Sequence, residues 1–318
     1  MQVIVGAGSV GTIIAGRLAA AGEHVKLVSR SGGGPVHPLI ERVSVDASDA
    51  VALRGVAAGA SVIYNCVNPQ YYAWTTDWPP INRALISAAA ANDAVLAITG
   101  NLYGYGPGPF GPDRPMTEDT PLAATSRKGR VRVTMWQEAL AAGIRTFEAR
   151  ASDYISPTSS IIELALPSLR AGKTVWLPGA LDVPHSYTYI GDVAQTLITL
   201  ATDERAWGRA WHVPSPPPMT GRSLLRTVAR VGGLPAPRLR SYPLPAVWAA
   251  GLFDKFAKEF REVRYQHVKP FVLDSSRVTA TFGLTHTPVD EAVQSVLGSD
   301  PSASIASGGS VPSKSTSE

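Results

Sequence analysis

The chain has little cysteine and little histidine, which narrows the chemistry that its side chains can support. Cys66 is the only cysteine among 318 residues, so an intramolecular disulfide is excluded and a reducing, cytoplasmic setting is expected. The six histidines are scattered, and no His-x-x-x-His or Cys-x-x-Cys pair occurs. We therefore expect no metal site. Cys66 lies in the apolar run SVIYNCV, which is typical of a buried, unreactive thiol.

The sequence also lacks a strong charge imbalance, a long apolar run and a hydrolase motif. Its formal net charge of +4 is small for this length, so no nucleic-acid surface is expected. No apolar run reaches membrane-spanning length, and the first strand leaves no room for a signal peptide before it, so we expect no membrane partner. Without a Gly-x-Ser-x-Gly elbow, a hydrolase would lack its nucleophile.

The amino-terminal segment MQVIVGAGSVG contains the most informative pattern in the chain. A short apolar strand runs into a Gly-x-Gly-x-x-Gly turn at Gly6, Gly8 and Gly11, and a helical pattern follows. The first glycine permits a sharp turn, the second lets backbone N–H groups approach a pyrophosphate, and the third lets the helix pack on the strand. Ser9 and Val10 complete the turn, where the positive helix end favours a phosphate. The pattern predicts dinucleotide binding.

The second strand, HVKLVSR, ends at Ser29 and Arg30, where enzymes that prefer NAD usually carry an acidic residue for the ribose 2'-hydroxyl. A guanidinium there suits a 2'-phosphate, since its donors can bind two oxygens at once. We therefore expect NADP(H) to be favoured over NAD(H), with Ser31 as a further contact. A solvated arginine at a strand end is the alternative interpretation.

Strand and helix patterns alternate through the first half of the chain. Further strands are predicted near ERVSVD, SVIYNCV, AVLAIT and IRTFEARAS, with helices at about 50–58, 81–91 and 126–142. Another helix should begin at Asp192 or just before it, after HSYTYIG. This alternation predicts an α/β fold with a doubly wound parallel sheet, a Rossmann domain, covered by helices on both faces.

The carboxy-terminal part has a different composition. Prolines cluster at VPSPPPM and PAPRLRSYPLPAVW, which favours short helices with irregular connections over another sheet layer. We expect a smaller, mixed and mainly helical substrate lobe at about 159–185 and 213–298, and a Rossmann domain at 1–158 plus about 186–212. Residues 299–318 are rich in Ser, Gly and Pro and should form a disordered tail.

Taken together, these segments resemble the extended or atypical short-chain dehydrogenase/reductase superfamily, in its NAD-dependent epimerase/dehydratase-like branch. The matching pieces occur in the family's order over about residues 1–298: GAGSVGTIIAGRL, VDASD, NCVNP, GNLYGYGP, RASDYISP, HSYTYIGDVAQTL and FVLDSSRVTATFGLTHTPVDEAV. The resemblance implies that Asp46 lies near the adenine amine, that Val67 and Asn68 pass the nicotinamide ribose, and that Asp153 takes a polar cofactor-binding position. Asp46 and Asn68 could instead be ordinary turn residues.

The chain departs from this family at the catalytic signature, a Ser or Thr followed by a Tyr-x-x-x-Lys pair. Alignment on the YGP motif places Asn101 at the serine, Lys128 at the tyrosine and Arg132 at the lysine. The usual acid is therefore missing. A Tyr-x-x-x-Lys spacing does occur at Tyr265 and Lys269, but it lies far downstream and is followed by Pro270, so we interpret it as coincidence.

Lys128 and Arg132 are spaced to share one helix face. Like charge and burial would both disfavour the protonated lysine, which would make Lys128 a proton donor near neutrality and leave Arg132 to bind the nicotinamide ribose or an anionic substrate. A solvated basic helix end is the alternative. Tyr103 offers another donor, with Asn101 as its polarising partner, whereas Tyr105 matches a structural tyrosine of the family.

Several further residues are candidates for the substrate pocket. His185 is more typical of a hydrogen-bonded structural group than of a base. The aromatic residues that could line a pocket, or equally belong to the core, are Trp74, Trp78, Tyr103, Trp176 and Tyr187.

Three functions are consistent with these observations. The first is an NADP(H)-dependent reductase or dehydrogenase for a small organic carbonyl or activated alkene. The second is an epimerase or dehydratase of the nucleotide-sugar type that retains NAD(P). The third is a catalytically inactive NADP-binding sensor. The sequence leaves the oligomeric state open, with a homodimer as one option, and identifies no substrate beyond a small molecule.

Overall fold

A computed structural model describes residues 1–158, 160–243, 245 and 255–298. Its main feature is a seven-stranded parallel sheet in the order β3-β2-β1-β4-β5-β6-β10. The strands of this sheet are β1 (Gln2–Val5), β2 (Val25–Ser29), β3 (Ile40–Ser44), β4 (Val62–Asn65), β5 (Val95–Asn101), β6 (Thr146–Ala151) and β10 (Arg209–His212). The predicted doubly wound α/β fold is confirmed.

The strand order reverses direction between β1 and β4, and this reversal fixes where a ligand can bind. Helices that leave these two strands pass to opposite faces of the sheet, so a crevice opens at the carboxyl ends of β1 and β4. The residues that follow β5 and β6 lie beside this crevice, because Asn101 is paired with Ala151 in the parallel register.

Helices cover both faces of the sheet, since most strand residues are buried on both sides. The described helices are α1 (Ser9–Ala20), α2 (Ala50–Val56), α3 (Trp74–Ala91), α4 (Arg127–Ala141), α5 (Ile161–Arg170), α6 (Ile190–Ala201), α7 (Gly221–Val231), α8 (Lys255–Val263), α9 (Tyr265–Val268), α10 (Ser276–Phe282) and α11 (Val289–Gly298). On one face, α1 and α6 bury Ile14 and Leu197 against the sheet. On the other, α2 and α3 bury Leu53 and Leu85.

A separate apolar cluster joins α5, α7 and α11, with Ile162, Leu224 and Val293 fully buried. Two small parallel sheets accompany it, formed by β7 (Asp153–Ile155) with β9 (Tyr187–Tyr189) and by β8 (Val175–Leu177) with β11 (Leu239–Ser241). The expectation that the proline-rich part holds no sheet is therefore wrong at β11. Leu239, Arg240 and Ser241 pair with β8, and the nearest prolines, Pro237 and Pro243, lie outside the strand.

Most predicted elements are confirmed, with one clear exception. Helix α3 begins at Trp74 rather than near residue 81, so Pro79 and Pro80 lie inside it. Both prolines lie in the second turn, where proline removes an N–H that would otherwise bond within the helix. Burial of the large apolar side chains of Trp74 and Trp78 favours the helical extension that contains them. Ser126 caps α4 by accepting a hydrogen bond from the Gly129 N–H. The tail 299–318 lies outside the described residues.

Three findings concern the cysteine, the membrane and the metal predictions. Burial raises the pKa of the Cys66 thiol to about 12, which confirms a buried, unreactive cysteine. Across the residues that the model describes, no helix has the length and apolarity to cross a bilayer. Within those same residues, His, Cys, Asp and Glu side chains form no group of three or more suited to a metal ion.

Candidate dinucleotide and proton-transfer site

The glycine turn, residues 6–11, has a different steric requirement at each glycine. Gly6 has φ of +111°, and a Cβ there would lie 2.5 Å from the Cys66 carbonyl oxygen. A Cβ on Gly11 would overlap the Gly6 carbonyl oxygen, whereas a Cβ on Gly8 would meet nothing within 4 Å. The first and third glycines are thus required by the protein's own packing. The second has open space above it, where a ligand can approach the backbone.

The helix end at this turn is suited to a phosphate. Gly8 is the N-cap of α1 and supplies no side-chain hydrogen bond, so first-turn N–H groups such as those of Ser9 and Val10 are available to an anion. At the end of β2, the Ser29 hydroxyl oxygen is buried with no hydrogen-bond partner in the described structure. A buried polar atom of this kind normally has a partner, which a bound ribose would provide. The residues therefore fit the adenosine and pyrophosphate half of a dinucleotide.

Arg30 and Asp46 lie close together beyond the ends of β2 and β3. The Arg30 carbonyl accepts a hydrogen bond of 2.9 Å from the Ser44 hydroxyl, and the Arg30 side chain is exposed. Hydrogen bonds from the Ser48 backbone and hydroxyl lower the pKa of Asp46, and the charge of Arg30 contributes further. Asp46 thus forms a local turn with Ser48, in agreement with the alternative interpretation, and its carboxylate also interacts electrostatically with the Arg30 guanidinium.

The crevice continues past β4 and β7. The Val67 N–H donates to the Asn65 side chain at 3.3 Å, and Asn68 is exposed just beyond it. From the other side, the Ser9 hydroxyl lies 2.7 Å from the Thr158 hydroxyl. The glycine turn and the segment after β7 therefore meet at this edge of the sheet, where the sequence placed the cofactor.

Tyr103 forms a phenol pair with a residue that the sequence analysis did not select. Its hydroxyl lies 3.0 Å from that of Tyr71, and its backbone N–H donates to Asn101 Oδ1 at 3.1 Å. Burial raises the pKa of Tyr103, and the nearby Asp153 carboxylate raises it further. Burial likewise raises the pKa of Tyr71, with Tyr103 as the next cause. Both phenols are therefore neutral and can donate a hydrogen bond, but neither resembles an activated base.

Lys128 has a different environment from the one expected. Its side chain is 2% exposed and its ammonium contacts the carboxylates of Glu259 and Glu262, the latter at 3.0 Å. The ammonium also lies 4.5 Å from the centre of the Tyr71 ring. The expectation of a lysine governed by a like charge on Arg132 is therefore wrong, because two carboxylates from α8 stabilise the ammonium. Local sequence could not predict these contacts, because the two glutamates lie more than 130 residues from Lys128 in the chain.

Arg132 is buried in an aromatic setting. Its guanidinium carbon lies 4.9 Å from the Trp74 ring centre and 4.6 Å from that of Trp78. Its Nη1 donates to the Thr99 carbonyl at 3.1 Å, and burial lowers its pKa. A solvated basic helix end is thus wrong for Lys128 and Arg132, although it holds for Arg127, whose side chain is 62% exposed.

Asp153 is the centre of a group that we call the proton cluster: Asp153, His185, Gln266 and His267. Asp153 Oδ2 lies 3.2 Å from His185 Nε2 and 3.5 Å from His267 Nδ1. Burial raises the pKa of Asp153, but His267 and His185 outweigh it and lower that pKa to about 2. Burial also lowers the pKa of His267 to about 4. The carboxylate is ionised between two imidazoles.

Several of these residues were missed by the sequence analysis, namely Tyr71, Glu259, Glu262, Gln266 and His267. The segment RYQHVKP contained the only signal, since its Tyr265 and Lys269 match the family spacing. Helix α9 ends at Val268 and Lys269 is extended, which confirms that the spacing is not a helical pair. Tyr265 nevertheless lies near Tyr103 and Glu262, and burial together with these two groups raises the pKa of its phenol.

The remaining candidates divide between core and surface. Tyr105 is buried, and its hydroxyl contacts Arg150 and His212 at 2.9 and 2.7 Å, which confirms a structural tyrosine. Trp74 packs on both Trp78 and Tyr103, so these three lie together. Trp176 does not join them in the contacts described, since it is 41% exposed and stacks on Tyr242.

No family model and no curated protein matches this sequence. Solved structures are similar over nearly the whole chain. The enzyme WbmH from Bordetella bronchiseptica, in complex with NAD+, superimposes with a TM-score of 0.73 at 18% identity, covering 93% of this chain and 97% of the other. For UDP-glucose 4-epimerase from Thermotoga maritima, with UDP-glucose, the TM-score is 0.74 at 12% identity, with the same coverage.

DesIV, a dTDP-glucose 4,6-dehydratase from Streptomyces venezuelae with NAD bound, gives a TM-score of 0.73 at 16% identity, covering 93% of this chain and 95% of the other. At such identities the likeness concerns the fold. The sequence motifs and the solved structures indicate the same fold. The chain has the fold of the NAD-dependent epimerase/dehydratase branch of the extended short-chain dehydrogenases/reductases.

Proposed function

We propose that the protein is an enzyme that binds a nicotinamide dinucleotide and reduces a small organic carbonyl or activated alkene. The observation that carries this proposal is the glycine turn, in which Gly6 and Gly11 serve packing while Gly8 faces open space. The fold supports it, because solved structures that share it are described with NAD bound. We further propose NADP(H) as the preferred coenzyme, with Arg30 as the 2'-phosphate contact.

The groups near the proposed nicotinamide position favour reduction over oxidation. A bound reduced coenzyme supplies a hydride, and the substrate oxygen must then receive a proton. Tyr71 and Tyr103 are neutral phenols, and Lys128 is held by two carboxylates. These groups can donate hydrogen bonds to a developing oxyanion. Initial oxidation of an alcohol needs a base instead, and the phenol that performs this role in the resembled family is absent.

A second function is favoured by the comparisons. Structures with the same fold are described as a UDP-glucose 4-epimerase and a dTDP-glucose 4,6-dehydratase. We therefore retain, as the alternative, an enzyme that keeps NAD(P) bound and acts on a nucleotide sugar by transient oxidation. Asp153 in its ionised form would have to contribute to the base that this reaction requires.

One experiment separates these functions. Purified protein is mixed with NADPH and with aldehydes, ketones and enones in turn, and the absorbance of NADPH is followed. Consumption of NADPH supports the reductase. Tightly held NAD that co-purifies, with conversion of UDP-glucose or dTDP-glucose but no net change in coenzyme, supports the epimerase or dehydratase. Binding of NADPH with neither reaction contradicts both and supports the sensor.

A further inference from the structure

Two buried histidines, His185 and His212, each have a backbone carbonyl at Nδ1 but differ in the group that faces Nε2. In His185, Nδ1 lies 3.1 Å from the Gln266 carbonyl oxygen. In His212, Nδ1 lies 2.7 Å from the Asp274 carbonyl oxygen. A carbonyl can only accept, so in both rings Nδ1 carries a proton and donates it. The state of each ring is then decided at Nε2.

At His212, Nε2 faces a group that can donate. The Tyr105 hydroxyl lies 2.7 Å away and itself accepts a hydrogen bond from Arg150. An unprotonated Nε2 accepts the phenol proton, so His212 is a satisfied, neutral imidazole. Burial accordingly lowers the pKa of His212 to about 4. No additional proton is needed at this ring.

At His185, Nε2 faces the Asp153 carboxyl group, which in its ionised form can accept a hydrogen bond but cannot donate one. The ring nitrogen is 3.2 Å from Asp153 Oδ2, and the histidine side chain is 4% exposed. A bare nitrogen and a carboxylate oxygen at this distance would repel each other. His267 does not resolve the conflict: its Nε2 accepts from the Gln266 amide at 3.2 Å, and its Nδ1 lies 3.5 Å from the same carboxylate. His185 Nε2 is buried and makes no hydrogen bond of regular geometry in the described structure, and one more proton at this contact would remove the repulsion.

We propose that the Asp153–His185 pair holds this extra proton and supplies it to the substrate, in place of the missing tyrosine. This inference rests on the proposed reductase function. Asp153 is the member that a substrate reaches, since its side chain is 32% exposed while His185 is buried behind it. Asp153 is thus assigned as a catalytic residue, and His185 and His267 act through it as positioning residues.

A bound reduced dinucleotide would supply a hydride to the carbonyl carbon, and the C=O π electrons would move to the oxygen. One proton would leave His185 Nε2, pass through an Asp153 oxygen and reach the substrate oxygen. One N–H bond would then be broken and one O–H bond formed, and Asp153 would remain a carboxylate. The substrate would become an alcohol, and His185 would be neutral until water returns a proton.

The pair works among several other titratable groups that bear on its charge. The groups that face Asp153 or its immediate neighbours from other elements are His267 of α9, Tyr187 of β9, Tyr71 before α3, Tyr103 after β5, Arg132 of α4 and Glu262 of α8. The phenols are neutral, so the local charge comes from the Asp153 and Glu262 carboxylates, the Arg132 guanidinium and the two imidazoles.

NMR tests the extra proton without coenzyme or turnover. In ¹⁵N-labelled protein near neutral pH, we expect two protonated ring nitrogens for His185 and one for His212, with the His185→Gln variant providing the assignment. A protonated Asp153 carboxyl, seen by its ¹³C shift, also places the proton in the pair. Asp153→Asn should make His185 neutral, because a carboxamide N–H can donate to Nε2. A neutral His185 beside an ionised Asp153 in the wild type overturns the proposal.

Turnover tests the acid role, with diacetyl and NADPH as the probe reaction. At saturating NADPH, Asp153→Asn should lower kcat by roughly 10²–10⁴-fold and remove the pH dependence that reports the acid. His24→Gln, at an exposed histidine, is the matched control for His185→Gln and should retain wild-type kcat. A wild-type kcat and pH profile in Asp153→Asn overturns the acid role. Absence of NADPH binding in the wild type contradicts the proposed function instead, and leaves the NMR result valid.

Discussion

The glycine turn and the proton cluster lie at the same edge of one sheet but are specified in different ways. The glycine turn is built within eleven consecutive residues, and each glycine has a steric reason that can be stated from the motif. The proton cluster takes one residue from β7, one from the segment before β9 and two from α9. Local sequence therefore fixes where a dinucleotide can bind, whereas long-range packing fixes which groups surround the reacting atoms.

The largest expected effect breaks the glycine turn itself. Gly11→Val should destabilise the protein by more than about 3 kcal/mol, or prevent folding, because the added Cβ would overlap the Gly6 carbonyl oxygen and press on Ile4. Urea unfolding measures the change. Gly16→Ala is the control in the same helix: its Cβ meets no atom within 4 Å, so the free energy of unfolding should rise by about 0.5–1 kcal/mol. Equal stability of the two variants would contradict the packing argument.

A pH effect should distinguish the neutral His212 from ordinary histidines. Burial lowers the pKa of His212 from 6.5 to about 4, so below pH 6.5 the unfolded state takes up a proton that the folded state does not. Stability contributed by this site is present above about pH 6.5 and lost as pH falls towards 4, by roughly 3 kcal/mol in total.

The measurement is the free energy of unfolding as a function of pH in two variants. His212→Gln should be less stable near neutral pH and show a shallower loss between pH 6.5 and 4. His24→Gln, at an exposed position, should keep the wild-type slope. A wild-type slope in His212→Gln would show that this ring is not the neutral group described.

The Lys128 contacts test the role of long-range packing, because they join a residue that the family motif locates to α8, which is distant in the sequence. Lys128→Met should destabilise the protein by roughly 3 kcal/mol, since it leaves Glu259 and Glu262 without their buried partner. Adding Glu259→Gln and Glu262→Gln to this variant should restore part of the loss. Lys173→Met, at an exposed lysine, is the control and should change little. Unchanged unfolding of Lys128→Met would contradict the ion-pair assignment.

The smallest expected effect concerns coenzyme preference. Arg30→Ala should weaken NADPH binding by roughly 10–100-fold, as expected for loss of one charged hydrogen-bonding partner, and leave NADH binding nearly unchanged. Arg42→Ala, at an exposed arginine of β3, is the control. Calorimetry with both coenzymes provides the measurement. Retained preference for NADPH in Arg30→Ala would remove the 2'-phosphate contact from the proposal.

These effects show how far the sequence could predict the molecule. The parallel sheet could be predicted from the alternation of strand and helix patterns. The segments of β1, β4 and β5 are short apolar runs, and glycines mark several of the turns. The start of α3 could not be predicted, since the burial of Trp74 and Trp78 against Arg132 depends on tertiary contacts. The motif located Lys128 and Arg132, but not their partners.

The same limit explains the errors at the candidate site. Spacing alone placed Lys128 and Arg132 on one helix face. It implied that the charge of Arg132 would lower the pKa of Lys128. The structure pairs Lys128 with carboxylates from α8 and Arg132 with two indole rings. His185 is buried and hydrogen-bonded, as expected of a structural histidine. Nothing in its neighbourhood of the sequence indicates Asp153, which β7 and β9 bring alongside it.

The most direct test of the central claim measures NADPH binding by calorimetry in the wild type and in Gly8→Leu. A Cβ on Gly8 meets no protein atom within 4 Å, so the variant should unfold at the wild-type urea concentration. The larger side chain would nevertheless fill the space assigned to the pyrophosphate. We predict one molecule of NADPH bound per wild-type chain and none per Gly8→Leu chain. Equal affinity in the two proteins, or no affinity in a folded wild type, would contradict the account.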